Sequence, residues 1–134
     1  MFAQLLMFSS ALIILALGLL HISITFWGTK LFPREPGLQE QLVKSHLVLT
    51  KGTTFWKAWI GFNASHAFGA IFFGLLYGYL ALQQAGLLFH SAFLLGLGLL
   101  FLTGYFILGK VYWFKVPFRG ISLALVCYVA SMFV

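Results

Sequence analysis

The residues best suited to chemistry are two histidines and an asparagine that stand in otherwise uncharged stretches. Asn63 and His66 lie three positions apart, within a run between residues 57 and 110 that contains no Lys, Arg, Asp or Glu. That spacing places both side chains on one face of a helix. His21 stands in a second uncharged stretch, residues 1–28. Amide and imidazole groups in apolar helices are expected to face protein, ligand or water rather than lipid.

Depth estimates place these three side chains in the same half of a bilayer. Counting from Trp56 at about 1.5 Å per residue puts Asn63 about 10 Å and His66 about 15 Å into the membrane. The same count puts His21 about 9 Å in from Trp27. Hydroxyl groups that fall at a similar level belong to Thr103, Tyr105 and Ser122. We expect one or more of these hydroxyls to join the two histidines and the asparagine in a shared polar pocket.

Three interpretations of this pocket stay open. The side chains can have a purely structural role, in which they form hydrogen bonds between helices that are worth about 1 kcal/mol each. They can bind a small molecule, a lipid or a cofactor such as a quinone. They can also hold a metal or tetrapyrrole, with His66 or His21 supplying a single axial ligand. Joint ligation by both histidines would have to overcome a predicted depth difference of about 6 Å.

Several catalytic chemistries lack the residues they need. No Asp or Glu lies in an apolar stretch, which excludes a carboxylate proton relay inside the membrane. The lone Cys127 cannot form an intrachain disulfide, and no H-E-x-x-H or G-x-S-x-G pattern occurs. We therefore expect a protein without catalytic activity of its own. The alternative is a small membrane enzyme for a lipid or isoprenoid, with His66 as acid or base and Asn63 orienting the substrate.

The composition indicates a membrane protein. Hydrophobic residues make up 62% of the 134 positions and charged residues only 7%, against about 25% charged in an average soluble domain. The whole chain, residues 1–134, is therefore predicted to be a single membrane domain. The net charge of +6 does not indicate nucleic-acid binding, because the basic residues are confined to two short segments.

The elements that must position the polar residues are membrane helices. An uncharged run between residues 57 and 110 exceeds one span of about 20 residues, so the polar break near residues 83–86 divides it in two. The sequence predicts an all-α integral membrane four-helix bundle, with helices at residues 5–27, 54–82, 87–109 and 117–134. Between the first two helices, residues 37–49 alternate apolar and polar types at a loosely helical spacing. This pattern predicts an amphipathic interfacial segment, or otherwise an irregular loop at headgroup level.

Small residues on the second predicted helix indicate close helix packing. One stripe repeats every four positions, and a second occupies another side of the same helix; packing through small residues replaces the hydrophobic drive between helices in lipid. The predicted packing residues are Gly61, Ser65, Gly69, Gly74 and Gly78.

Charge distribution predicts the orientation of the chain. All eight basic residues fall in or beside the first and third connections between the predicted helices, and the positive-inside rule places those connections in the cytoplasm. Four spans then leave both termini on the non-cytoplasmic side. We expect a multi-pass protein of a bacterial inner or internal membrane.

The segment Gly61-Phe62-Asn63-Ala64-Ser65-His66 resembles a G-F-N-x-S-H pattern of small, uncharacterised bacterial membrane proteins with four predicted spans. The resemblance covers mainly the second helix, and it implies the four-span architecture without implying an activity. From the residues we expect a binding or accessory subunit with an intramembrane polar pocket for a lipid, quinone or pigment-like ligand. Its expected partners are membrane lipids and either other membrane subunits or further copies of itself. A purely structural helix bundle is a further alternative.

Overall fold

A computed structural model describes all residues from 1 to 134. The protein is all-α apart from one short hairpin, with 79% of its residues in six helices. The elements in chain order are α1 (Phe2–Trp27), α2 (Leu38–Lys44), β1 (His46–Leu47), β2 (Thr50–Thr54), α3 (Phe55–Gln83), α4 (Ala85–His90), α5 (Ala92–Tyr112) and α6 (Lys115–Ser131).

Three helices are long and apolar enough to cross a membrane, judged by length and composition. They are α1 with 26 residues, α3 with 29 and α5 with 21. Helix α6 has 17 residues, or about 26 Å at 1.5 Å per residue. This length is slightly below the bilayer hydrocarbon thickness of about 30 Å. A fourth span and a four-helix bundle therefore stay predictions.

The apolar stretch predicted as one helix at residues 87–109 is divided in the structure. Helix α4 ends at His90 and α5 begins at Ala92, with Ser91 between them in an extended conformation. The Ser91 hydroxyl accepts a hydrogen bond from the Leu94 amide at 3.2 Å and so caps α5. A serine favours the cap position because its side chain competes with the helical backbone for hydrogen bonds. Hydrophobic periodicity alone does not reveal such a break.

The segment predicted to be interfacial at residues 37–49 contains a shorter helix than the pattern suggests. Helix α2 covers seven residues, and β1 and β2 follow as an antiparallel pair. The strand β2 contains three threonines, whose β-branched side chains favour extended backbone. Thr54 then accepts a hydrogen bond from the Lys57 amide at 3.4 Å, in the manner of a helix cap. The hairpin thus leads directly into α3.

The chain divides into two compact units. One contains residues 1–17 and 70–134, and the other contains residues 18–69. We call them the terminal unit and the loop unit. The loop unit holds the end of α1, the α2 and hairpin segment, and the beginning of α3.

In the terminal unit, α1 and α3 approach closely at Gly74. A Cβ atom at this position would lie 2.8 Å from the backbone oxygen of Ala11 and 2.5 Å from the Cβ of Leu15. Real Cβ atoms do not approach other atoms this closely, so only glycine fits. Gly78 is less constrained, because its added Cβ would stand 3.8 Å from Ala11 and Phe8.

Two buried tyrosines connect other helices of the terminal unit to the start of α5. The Tyr77 hydroxyl donates to the Leu94 carbonyl at 2.6 Å, and the Tyr128 hydroxyl donates to the Leu95 carbonyl at 2.8 Å. Both rings lie over Gly98, where a Cβ would come within 2.7 Å of Tyr77 and closer still to the Tyr128 hydroxyl. The missing side chain at Gly98 therefore makes room for both hydrogen-bonded tyrosines.

Candidate functional site

The polar cluster of the loop unit consists of His21 on α1 and Asn63 and His66 on α3. Nε2 of His21 lies 3.1 Å from Oδ1 of Asn63. Asn63 also donates from Nδ2 to the backbone oxygen of Trp59 at 2.8 Å, one turn earlier on its own helix. All three cluster side chains are half-buried. The asparagine therefore joins the two helices while its amide is held in place by α3.

The direction of the hydrogen bonds in this cluster follows from the Trp59 carbonyl. A backbone carbonyl can only accept, so the Asn63 amide must turn its NH₂ group toward Trp59 and its oxygen toward His21. The imidazole must then carry a hydrogen on Nε2, because the Asn63 oxygen can only accept. In neutral His21 the other ring nitrogen, Nδ1, is consequently an acceptor.

The second histidine contacts the first edge to face. The ring centroids of His21 and His66 are 5.3 Å apart, with an interplanar angle of 75°. The rings meet despite the predicted depth difference of about 6 Å. That difference counts only the rise along each helix axis, whereas side chains also lean toward the N-terminus of their helix and so shift in depth.

Trp59 is a part of the site that residue types alone do not reveal. Its backbone oxygen orients Asn63, and its indole Nε1 donates to the Leu31 carbonyl at 3.3 Å. The only sequence signal for the hydrogen bond from Asn63 to the Trp59 carbonyl is their spacing of four residues. At that spacing an asparagine side chain can reach a carbonyl of its own helix. Trp59 thus connects the polar cluster to the chain segment that follows α1.

The hydroxyl residues predicted for the pocket belong to the terminal unit. Tyr105 stacks on Phe101, with ring centroids 4.3 Å apart. Ser122 donates its hydroxyl hydrogen to the Phe118 carbonyl of its own helix at 2.7 Å. Thr103 is half-buried on α5. The Ser122 hydroxyl has no second hydrogen to donate, so toward any ligand it can act only as an acceptor.

The predicted packing residues have different surroundings. An added Cβ on Gly61 would meet nothing within 4 Å. Ser65 is exposed, and its hydroxyl donates to the Phe62 carbonyl of the same helix at 2.9 Å. Gly69 is half-buried. In the terminal unit, the α3 glycines that lie against α1 are Gly74 and Gly78.

A cavity of about 290 Å³ lies in the loop unit and is lined in part by Trp59, whose backbone oxygen orients Asn63. Its walls come from the segment after α1, from α2 and from the first turns of α3. The residues that line it are Leu31, Phe32, Pro33, Leu42, Trp56 and Trp59. We call it the aromatic cavity, because three of these six side chains are aromatic.

No group of three or more His, Cys, Asp or Glu side chains is arranged to hold a metal ion. Ligation through a single histidine has different requirements at the two positions. An axial ligand supplied by Nε2 of His21 would replace the hydrogen bond to Asn63. An axial ligand supplied by His66 would leave the bond between His21 and Asn63 in place, although the ring of His66 packs against that of His21.

Comparison with known proteins gives no relative from which a role can be transferred. No protein-family model, no curated protein and no solved structure matches the chain. The evidence on function is therefore the contacts of the polar cluster and the apolar character of the helices.

Proposed function

We propose that this protein is a non-enzymatic binding or accessory subunit of a membrane. Its ligand is a hydrophobic molecule with a polar group, of the lipid, quinone or pigment type, held by His21, Asn63 and His66. The observation that carries the proposal is the hydrogen-bonded contact between His21 and Asn63 on two long apolar helices. Such groups are rare in membrane helices and mark binding sites or polar pathways.

The cluster has donors and acceptors beyond those used between the helices, and this favours ligand binding over a purely structural role. Asn63 uses one of its two amide hydrogens on Trp59, which leaves a second donor for a ligand carbonyl. Nδ1 of neutral His21 is an acceptor suited to a ligand hydroxyl. Both side chains are only half-buried, and leaving such groups unpaired in lipid would cost several kcal/mol.

We place the protein in the membrane by its apolar helix surfaces. Large apolar side chains are exposed along the long helices, including Phe62 at 79%, Phe72 at 68% and Phe93 at 74%. Contact with water at so many rings would be unfavourable, whereas lipid tails or neighbouring subunits cover them. Membrane lipids and either other membrane subunits or a second copy of the chain are the proposed partners.

In the proposed architecture, α6 is the fourth span of a bundle formed with α1, α3 and α5. Helix α6 can cross because a short helix is accommodated by local bilayer thinning and by flanking residues. All eight basic residues then lie on the cytoplasmic side of a bacterial inner or internal membrane, with both termini outside. Helix α2 lies at the membrane surface, where Glu40 and Lys44 reach water.

The experiment that tests the function is recovery of the ligand from the native membrane. The protein is extracted in polymer-bounded discs that retain its lipids, and its absorption spectrum and extracted hydrophobic molecules are compared with those of bulk membrane. We expect one pigment, quinone or lipid to be enriched in the parent and lost in Asn63→Ala and His66→Ala.

The matched control is Ser65→Ala, since the Ser65 hydroxyl bonds only to its own helix. It should retain the ligand at the parental level. A parent with no visible absorbance and no enriched molecule would overturn the proposal, as would full retention by both cluster variants.

A further inference from the structure

The aromatic cavity has the size and lining of a site for part of an amphiphile. Its volume of about 290 Å³ is at the lower end of ligand pockets, which range from about 300 to 1,000 Å³. It therefore accommodates the beginning of an acyl chain rather than a whole lipid. Two of the lining side chains, Trp56 and Trp59, are of the type that favours the membrane–water interface.

Three cations are next in sequence to residues that line the aromatic cavity. Lys30 precedes the lining residue Leu31, Arg34 follows Pro33, and Lys57 follows Trp56. The flanking cations are all exposed: Lys30, Arg34 and Lys57. The loop unit as a whole carries five basic residues against two acidic ones. This imbalance favours an anionic occupant over a zwitterionic or cationic one.

We propose that the aromatic cavity binds one anionic phospholipid of the surrounding bilayer. The phosphate lies among Lys30, Arg34 and Lys57, and the first segment of an acyl chain enters between Phe32 and Trp56. The site differs from the one formed by His21, Asn63 and His66, and it does not require that cluster to hold a ligand. Its chemical basis is attraction between fixed cations and a headgroup that carries net negative charge.

The cavity tryptophans provide a direct reporter for this lipid. The chain has four tryptophans, of which two line the aromatic cavity, so the variant Trp27→Phe/Trp113→Phe leaves fluorescence from the cavity alone. This variant is reconstituted into phosphatidylcholine vesicles, and brominated phosphatidylglycerol or brominated phosphatidylcholine is added as the quencher. We expect half-maximal quenching at an at least tenfold lower mole fraction of the phosphatidylglycerol, because each cation contributes about fivefold.

In the charge variant Lys30→Gln/Arg34→Gln/Lys57→Gln, half-maximal quenching should occur at the same mole fraction of either brominated lipid. Its matched control is Lys110→Gln/Lys115→Gln/Arg119→Gln, which removes the same number of cations outside the loop unit. This control should preserve most of the preference for phosphatidylglycerol. Raising the salt concentration should weaken the preference in the parent, since exposed charges are screened over about 8–10 Å.

Four outcomes would overturn the lipid site. Equal quenching by both brominated lipids would show that the cavity does not select charge. An unchanged preference in the charge variant, or an equal loss in its matched control, would show that the flanking cations are not responsible. Competition by millimolar inorganic phosphate would show that the site takes a free anion rather than a lipid. None of these outcomes bears on ligand retention by the polar cluster.

Discussion

Nε2 of His21 donates a hydrogen bond to Oδ1 of Asn63 at 3.1 Å, across 42 positions of sequence. The bond connects the last turns of α1 to the first turns of α3 within the loop unit. Its direction is fixed because Asn63 gives its NH₂ group to the Trp59 carbonyl. A neutral His21 therefore presents Nδ1, an acceptor, to whatever shares the cluster.

The strength of this contact can be measured with a double-mutant cycle. His21→Ala and Asn63→Ala should each lower the free energy of unfolding by about 1 kcal/mol, with a coupling energy of about 0.6 kcal/mol and at most about 1.7 kcal/mol. Unfolding in mixed detergent micelles provides the measurement. Ser65→Ala, which removes no bond between helices, serves as the control. Strict additivity of the two substitutions would contradict the contact.

Two of the three long helices begin and end close to the positions that the sequence indicates. Helices α1 and α3 cover Phe2–Trp27 and Phe55–Gln83, against predictions of 5–27 and 54–82. Uncharged length and the tryptophans near the helix ends predict these bounds, and both are visible in the sequence. The break at Ser91 and the hairpin of β1 and β2 are not visible in this way. They depend on local hydrogen bonds, which periodicity does not report.

For the site, residue types identify His21, Asn63 and His66 as unusual, whereas their geometry requires the structure. The Trp59 carbonyl that orients Asn63 is a backbone group, and backbone groups have no signature in residue type. The glycines illustrate the same limit. Gly61 and Gly74 are identical in the sequence, but only Gly74 has a helix against it.

Replacing Gly74 should destabilise the protein far more than replacing Gly61. In Gly74→Ala the new methyl group meets the Ala11 carbonyl and Leu15, and overpacking of this kind costs about 1–3 kcal/mol. In Gly61→Ala the methyl group meets nothing, and alanine is the better helix former by about 1 kcal/mol. Thermal unfolding in detergent compares the two variants. Equal melting temperatures would contradict the close approach of α1 and α3.

A similar pair of glycines tests the two tyrosine contacts on α5. Gly98→Ala drives a methyl group into the rings of Tyr77 and Tyr128, whereas Gly96→Ala points into open space. We expect Gly98→Ala to lower the free energy of unfolding by about 1–3 kcal/mol and Gly96→Ala to leave it unchanged or slightly raised. Ultraviolet resonance Raman spectra of the tyrosines should change only in Gly98→Ala. An equal loss of stability in both variants would contradict the role of the tyrosine contacts, since it would show that α5 does not tolerate alanine at either glycine.

Reporter fusions can decide whether α6 is a fourth span. A periplasmic reporter such as alkaline phosphatase should be active when fused after Gly86 and inactive when fused after Lys115. The reasons are that α5 lies between the two positions and that the basic residues near Lys115 favour the cytoplasm. A fusion after Val134 separates the two architectures. If α6 crosses, this reporter lies on the same side as the one after Gly86 and is active. An inactive reporter after Val134, together with an active one after Gly86, would leave α6 on the cytoplasmic side and reduce the bundle to the three helices α1, α3 and α5.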